Sequence, residues 1–164
     1  MKDFDDYLKG ESPNLKRALT DRSYRKYTND HTLPFNDYLS TLGDAVLRLC
    51  LTDLLSGGDG VSIARQMDEC NENLASVIAR HYGLLEGRLL YDKNDPTKGK
   101  GYDWDRNESR SMGNNRKHNP QKYLADAVEA MLGAYYLDRD RDMVLMNELV
   151  SEWMELITKS ARVR

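Results

Sequence analysis

Cysteine is nearly absent: only Cys50 and Cys70 occur in 164 residues. Cys50 falls on an apolar helical stripe and Cys70 in a polar stretch, so the pattern fits free thiols in a reducing cytoplasm rather than a disulfide scaffold. Histidine occurs singly, at positions 31, 81 and 118, which argues against a zinc site. No apolar run approaches the ~18 residues of a membrane span. The amino-terminal MKDFDDYLKGE is acidic and polar, unlike a secretory signal. Nor is there an excess of positive charge: 24 basic against 27 acidic residues leave a net charge of −3. Bulk electrostatics therefore do not draw a polyanion to this chain, and only a local concentration of basic residues could. No stretch alternates in the manner of a strand, which points to an all-α fold.

What is present is helical periodicity. With 40% hydrophobic and 31% charged residues, the composition is that of a soluble protein, and residues 1–164 read as one domain able to bury a sizeable core. The stretch NDYLSTLGDAVLRLCLTDLL, Asn36 to Leu55, places Leu39, Leu42, Val46, Leu49, Cys50 and Leu54 at steps of three and four, predicting one buried helix face. Asn36 is placed to cap it, and Ser56-Gly57-Gly58 to stop it. Gly43 and Ala45 lie in mid-helix, where glycine costs about 1 kcal/mol against alanine. That cost implies a close neighbour at the backbone. Between them Asp44 brings a charge into a core-forming stretch, where something must neutralise it.

KYLADAVEAMLGAYYLD, Lys122 to Asp138, repeats the design. Leu124, Val128, Met131, Leu132 and Tyr135 form an apolar face separated by small residues. Asp126 and Glu129 stand three apart and project from one side. Three acids on two packed helices need a cation between them, and a hard divalent ion with oxygen ligands suits the set.

Elsewhere, residues 1–12 read as a polar lead-in with a helical turn around Phe4 to Leu8. Ser12-Pro13 reads as a cap and first-turn proline for a helix carrying Leu15, Ala18 and Leu19. Arg22 to Pro34 reads as a connecting loop. Helical patterns return from Ser62 to Gly83, with a break near Cys70-Asn71, and from Met143 to Ile157 through Val144, Leu145, Leu149, Trp153 and Leu156. Between them lies one long irregular segment, residues 91–121, read as a basic loop insertion. From Asp92 it holds seven basic residues against five acidic. Loops of this length in compact domains are functional or disordered. Its basic and amide side chains suit phosphate and sugar contacts, and Lys98, Lys100, Arg106, Arg110, Arg116 and Lys117 are the candidate RNA-binding residues.

These residues carry a resemblance. LGDAVL (Leu42 to Leu47) and ADAVEAMLGAYYLD (Ala125 to Asp138) resemble the two signature segments of the ribonuclease III family. LKRALTDRSY (Leu15 to Tyr24) resembles its first helix and the following turn, with Asp21 where a His is usual. NENLASVIARHYGL (Asn71 to Leu84) is similar to the helix between the signatures. Asn36 and Asp37 match the opening of the first signature. The family Glu that stands four residues before Asp44 is Ser40 here, a neutral hydroxyl in place of a carboxylate. Mini-ribonuclease III, the small branch without a separate double-stranded RNA-binding domain, shares that loss and places a basic loop before its second signature. The chain resembles that stand-alone branch, since it stops soon after its last helix.

The resemblance implies a ribonuclease III-like helical endonuclease domain. Its activity would be Mg²⁺- or Mn²⁺-dependent hydrolysis of double-stranded RNA in RNA processing, leaving 5′-phosphate and 3′-hydroxyl ends. Asp44, Asp126 and Glu129 would hold the metal and carry catalysis, with Mg²⁺ lowering the pKa of the attacking water. Asp37, Ser40 and Asp59 are accessory candidates, Asp59-Gly60 standing where the family has a Glu-Gly pair. Seven helical residues separate Asp37 from Asp44 by ~10 Å along the axis, too far for Asp37 to replace the missing Glu. Family members pair along the first signature helix. Gly43 and Ala45 would allow close approach of a second copy, with Leu47 and Cys50 widening the apolar stripe. The alternatives are a catalytically silent RNA- or ribosome-binding relative, an all-α nucleotide pyrophosphohydrolase, and a plain helical interaction domain. A pyrophosphohydrolase would carry more acids at ExxE spacing, and an interaction domain leaves the helix-borne acids unexplained.

Overall fold

The second signature stretch forms the axis of the fold. A computed structural model describes residues 2–56, 73–94 and 122–161. In it the helix α6, Lys122–Asp138, has the bounds its sequence pattern predicts. From Tyr123 to Tyr135 every residue but Asp126 is buried. A helix that is apolar or small all round belongs inside, and its four alanines add the best intrinsic helix propensity. Against it lie α4, Asp37–Leu54, and α2, Pro13–Ala18. The last helix, α7, Met143–Ala161, packs on α4. A π-helical turn, Leu74–Ile78, leads into the short α5, Ala79–His81, and a 3₁₀ turn follows at Leu84–Glu86. Among the described residues there is no strand, only a bridge between Thr20 and Leu90, so the all-α expectation holds.

Helices α4 and α6 cross at their glycines. A methyl group on Gly43 would lie 1.7 Å from the Glu129 carbonyl oxygen, and one on Gly133 would lie 2.3 Å from the Leu39 carbonyl oxygen. The close neighbour implied by Gly43 is thus α6 of the same chain. Leu47 and Cys50 are likewise buried in the chain's own core, whereas Ala45 is exposed. The predicted single buried face of α4 is also narrower than its apolar content. Leu39, Val46 and Cys50 are buried and Leu42 is half-buried, but Leu49 is 57% exposed and Leu54 is exposed too. Asn36 precedes α4 without a side-chain cap hydrogen bond, and its buried Nδ2 has no partner among the described residues. Its backbone instead ties the helix start down, donating to the Thr20 carbonyl at 3.0 Å.

Two other sequence expectations need correction. The polar lead-in, expected to hold only a helical turn around Phe4 to Leu8, is a helix, α1, Lys2–Tyr7, and it delivers Phe4 into the core. The Phe4 ring meets Tyr135, Tyr82 and Trp153 edge-on at centroid distances of 4.9, 5.3 and 5.9 Å. The Trp153 indole N–H donates to the Tyr82 hydroxyl at 2.9 Å. Asp138, at the end of α6, fastens this end by accepting from Tyr7 Oη at 2.8 Å, Asn14 Nδ2 at 2.7 Å and the Ser12 hydroxyl. Because Phe4 is 2% exposed, Phe4→Ala is expected to cost about 3–5 kcal/mol. Chemical denaturation checks this, and a loss below ~1 kcal/mol would mean that α1 is dispensable to the core.

The second correction concerns Arg22 to Pro34. Arg22–Thr28 is a helix, α3, capped by Asp21 Oδ1 accepting from the Ser23 N–H at 2.9 Å and ended by Asn29 in the left-handed region at φ 56°. Ser12 caps α2 as expected, accepting from the Asn14 and Leu15 amides. On α7 Leu149 and Trp153 are buried, but Val144 faces out. Cys70 and the first half of the predicted Ser62–Gly83 helix lie outside the described residues.

Candidate active site

Alongside the glycine crossing, α4 and α6 leave an open pocket of about 440 Å³. Helix α4 lines it with Asp37, Ser40, Thr41, Asp44 and Arg48, and α6 with Lys122, Ala125, Asp126 and Glu129. Asp44, Asp126 and Glu129 are therefore brought to one place from two helices. The site is not core, however: the Asp44 side chain is 36% exposed and that of Asp126 30%. Only Glu129 is buried, at 8%. Helical geometry explains the set. Positions 37, 40, 41, 44 and 48 recur at three and four, so they fall on one side of α4, and 122, 125, 126 and 129 do the same on α6.

The acids are unequally compensated. Arg48 Nε reaches both Asp44 carboxylate oxygens, at 2.9 and 3.0 Å. Lys122 Nζ lies 2.6 Å from Asp126 Oδ1. Both are solvent-reachable pairs one turn apart on a helix, a class worth about 0.3–0.5 kcal/mol. The Glu129 carboxylate has no hydrogen bond or ion pair with any described residue. Burial, then the charges of Asp126 and Asp44, push its pKa up to about 8. Burial also raises the carboxyl of Asp126, against the opposing pull of Lys122.

The donor set fits a hard divalent ion: carboxylate and hydroxyl oxygens around an open pocket, with one buried carboxylate in no ion pair with a described residue. The side chains do not converge as they stand. Among the described residues no three His, Cys, Asp or Glu side chains are gathered closely enough to hold an ion. Two of the three carboxylates are turned instead to Arg48 and Lys122. The accessory candidates Asp37 and Ser40 line the same pocket, and the Ser40 hydroxyl donates to the Asp37 carbonyl at 3.0 Å. Asp59 and the loop residues Lys98, Lys100, Arg106, Arg110, Arg116 and Lys117 lie outside the described residues. Asp21 is buried and caps α3.

Sequence reasoning missed the two cations in the pocket, although their i,i+4 spacing from Asp44 and Asp126 is a signal for such pairs. It also missed a basic, aromatic surface around α3. The Arg25 and Arg22 guanidinium groups stand 4.3 and 5.9 Å from the Phe35 ring centroid, and Arg17 stands 5.6 Å from that of Tyr38. Lys26 and the exposed Tyr27 lie on the same helix.

Comparison with known proteins adds three findings. The family model of the ribonuclease III domain matches residues 37–140. The chain is 39% identical over 132 residues to ribonuclease 3 of Pelotomaculum thermopropionicum, covering 76% of this chain and 46% of that protein. It is 33% identical over 153 residues to ribonuclease 3 of Syntrophomonas wolfei, covering 90% and 56%. The chain thus spans about half the length of these curated relatives. In fold it is similar to the nuclease domain of ribonuclease III from Campylobacter jejuni. The TM-score is 0.61 at 21% identity, with 93% of this chain and 94% of that one covered. That structure is described as flexible in a region involved in dimer formation. Among the described residues no helix is long and apolar enough to cross a membrane.

Proposed function

The chain belongs to the ribonuclease III domain family, and from that premise we propose that it is a cytoplasmic endoribonuclease cutting double-stranded RNA. The observation that carries this reading is that Asp44, Asp126 and Glu129 line one pocket beside the α4–α6 crossing. These three carboxylates would hold Mg²⁺ or Mn²⁺. When bound there, such an ion lowers the pKa of water and stabilises charge on the phosphate as the ester breaks. The chain's own residues do the rest. The glycine crossing fixes the spacing of the acids, Glu129 offers a carboxylate in no ion pair with a described residue, and the Asp37 and Ser40 side chains border the pocket. Attack of water on phosphorus with departure of the 3′-oxygen would leave a 5′-phosphate and a 3′-hydroxyl.

Substrate grip would come from Lys98, Lys100, Arg106, Arg110, Arg116 and Lys117 in the basic segment at 91–121. The cations around α3 support RNA contact as well, since phosphate binding needs local basic charge on a chain of net −3. Pairing through α4 supplies a homodimer with two such sites. Its support is the exposed stripe of Tyr38, Ala45 and Leu49, which share one helix side, rather than the buried Leu47 and Cys50. Sedimentation equilibrium at micromolar concentration is expected to give twice 18.9 kDa. A mass of one chain would rule out the paired sites.

Ser40 favours a second reading, a catalytically silent RNA-binding relative, because one metal-facing carboxylate is missing. Incubating the protein with a generic duplex RNA and Mg²⁺ or Mn²⁺, then mapping the product ends, separates the two. Cleavage with 5′-phosphate ends is expected. Binding without cleavage under either ion would select the silent reading.

A further inference from the structure

Two cations inside a candidate cation site call for an account. Arg48 covers both oxygens of Asp44, and Lys122 sits at 2.6 Å from Asp126 Oδ1. No group of three acids converges while these pairs persist. Glu129, nine-tenths buried at the pocket wall, makes no pair with a described residue. We propose that Lys122 and Arg48 are built-in competitors for the divalent ion, which enters the pocket by exchange, displacing the ammonium from Asp126 and the guanidinium from Asp44. The inference rests on reading the pocket as a divalent-metal site.

The physical argument has three parts. Each cation is rooted one turn from its acid on the same helix, so its local concentration stays high and dilution cannot remove it. Each pair is exposed, with side-chain accessibilities of 57% for Arg48 and 72% for Lys122, so exchange requires only rotation into water and no opening of the core. A bound dication and a tethered monocation repel, so the ion pays for the exchange in apparent affinity. Ser40 sharpens the contest, because it offers an incoming ion no added negative charge. Activity would then rise at high metal concentration rather than saturate at trace levels.

The test reads metal binding directly. Chelator-treated protein is titrated with Mn²⁺ and followed by thermal shift and by the electron paramagnetic resonance signal of free Mn²⁺. Lys122→Gln is expected to bind Mn²⁺ about 15-fold more tightly than wild type at low salt, the effect of removing one positive charge ~5 Å from a dication in a water-like dielectric. Lys122→Arg keeps the charge and is expected to stay near wild type. That comparison separates electrostatic competition from a packing role. Arg48→Gln is expected to shift affinity in the same direction, and it serves where Lys122→Gln expresses poorly. Unchanged or weaker binding by the Gln variants, with wild type binding measurably, overturns the exchange and leaves the metal site standing. No Mn²⁺ binding by wild type or by either Gln variant at millimolar concentration overturns the metal reading and the exchange with it.

Discussion

Glu129→Gln is expected to abolish RNA cleavage while yielding a protein that, without metal, is more stable than wild type at alkaline pH. The first half follows from the pocket. Gln keeps the shape of the side chain but removes a carboxylate that is 8% exposed and shares the pocket with Asp44 and Asp126. Losing an outer-shell partner of a metal costs 10–100-fold, so losing a ligand is expected to cost at least ~100-fold in kcat/KM. Initial rates on duplex RNA at saturating Mn²⁺ measure it. A folded Glu129→Gln protein that cleaves at the wild-type rate would remove Glu129 from the site.

The second half follows from linkage. Burial first, and the charges of Asp126 and Asp44 next, raise the Glu129 pKa to about 8 from an ordinary 4.5. Between those values the folded protein binds this proton and the unfolded chain does not. Stability therefore falls as pH rises through that window, by at most ~1.4 kcal/mol per pH unit, and levels off above pH 8. Gln carries no charge at any pH, so the variant lacks this decline. Thermal melts from pH 5 to 9 with chelator present are expected to coincide near pH 5 and to diverge by a few kcal/mol at pH 8. Parallel curves would mean that Glu129 ionises freely in the fold. A residue that lowers stability and carries activity is the trade expected of a functional site.

How much of this was legible beforehand depends on which signal each element offers. Helix α6 was readable to its last residue because nearly every position is apolar or small. Asp44, Asp126 and Glu129 stood out because charges inside such stretches are conspicuous, and the fold lines one pocket with them. Leu49 and Leu54 were misassigned because periodicity marks an apolar stripe but not how much of it the chain itself covers. Helix α3 was hidden by Tyr, Asn and Asp, which favour turns. It forms because Asp21 caps it and Asn29 accepts a left-handed end. Phe4 was hidden by its acidic neighbours, since one aromatic among charges has no period to read. Arg48 and Lys122 looked like solvated charges. Their significance appears only when two separate helices place them in one pocket.

Gly43→Ala is expected to be the most disruptive single-methyl change in the described chain, costing at least ~3 kcal/mol. The added carbon would sit 1.7 Å from the Glu129 carbonyl oxygen and 2.5 Å from its carbonyl carbon. Both are backbone atoms in a buried helix, so no rotamer can relieve the contact and α4 must move away from α6. That movement opens the Leu39–Val46–Cys50 face and drags Asp44 from Glu129. Stability and activity should therefore fall together. In metal-free protein, denaturant unfolding is expected to show a large loss of stability. Any folded fraction is expected to bind Mn²⁺ more weakly than wild type, because the carboxylates no longer share a pocket. Gly133→Ala, with 2.3 Å to the Leu39 carbonyl oxygen, should do the same from the other helix. Ala45, one residue from Asp44 but exposed, is the control: Ala45→Ser is expected to change stability by less than ~0.5 kcal/mol. If Gly43→Ala melts within about 1 kcal/mol of wild type, the helices have slack at the crossing. The fixed spacing of Asp44 and Glu129 would then need another cause.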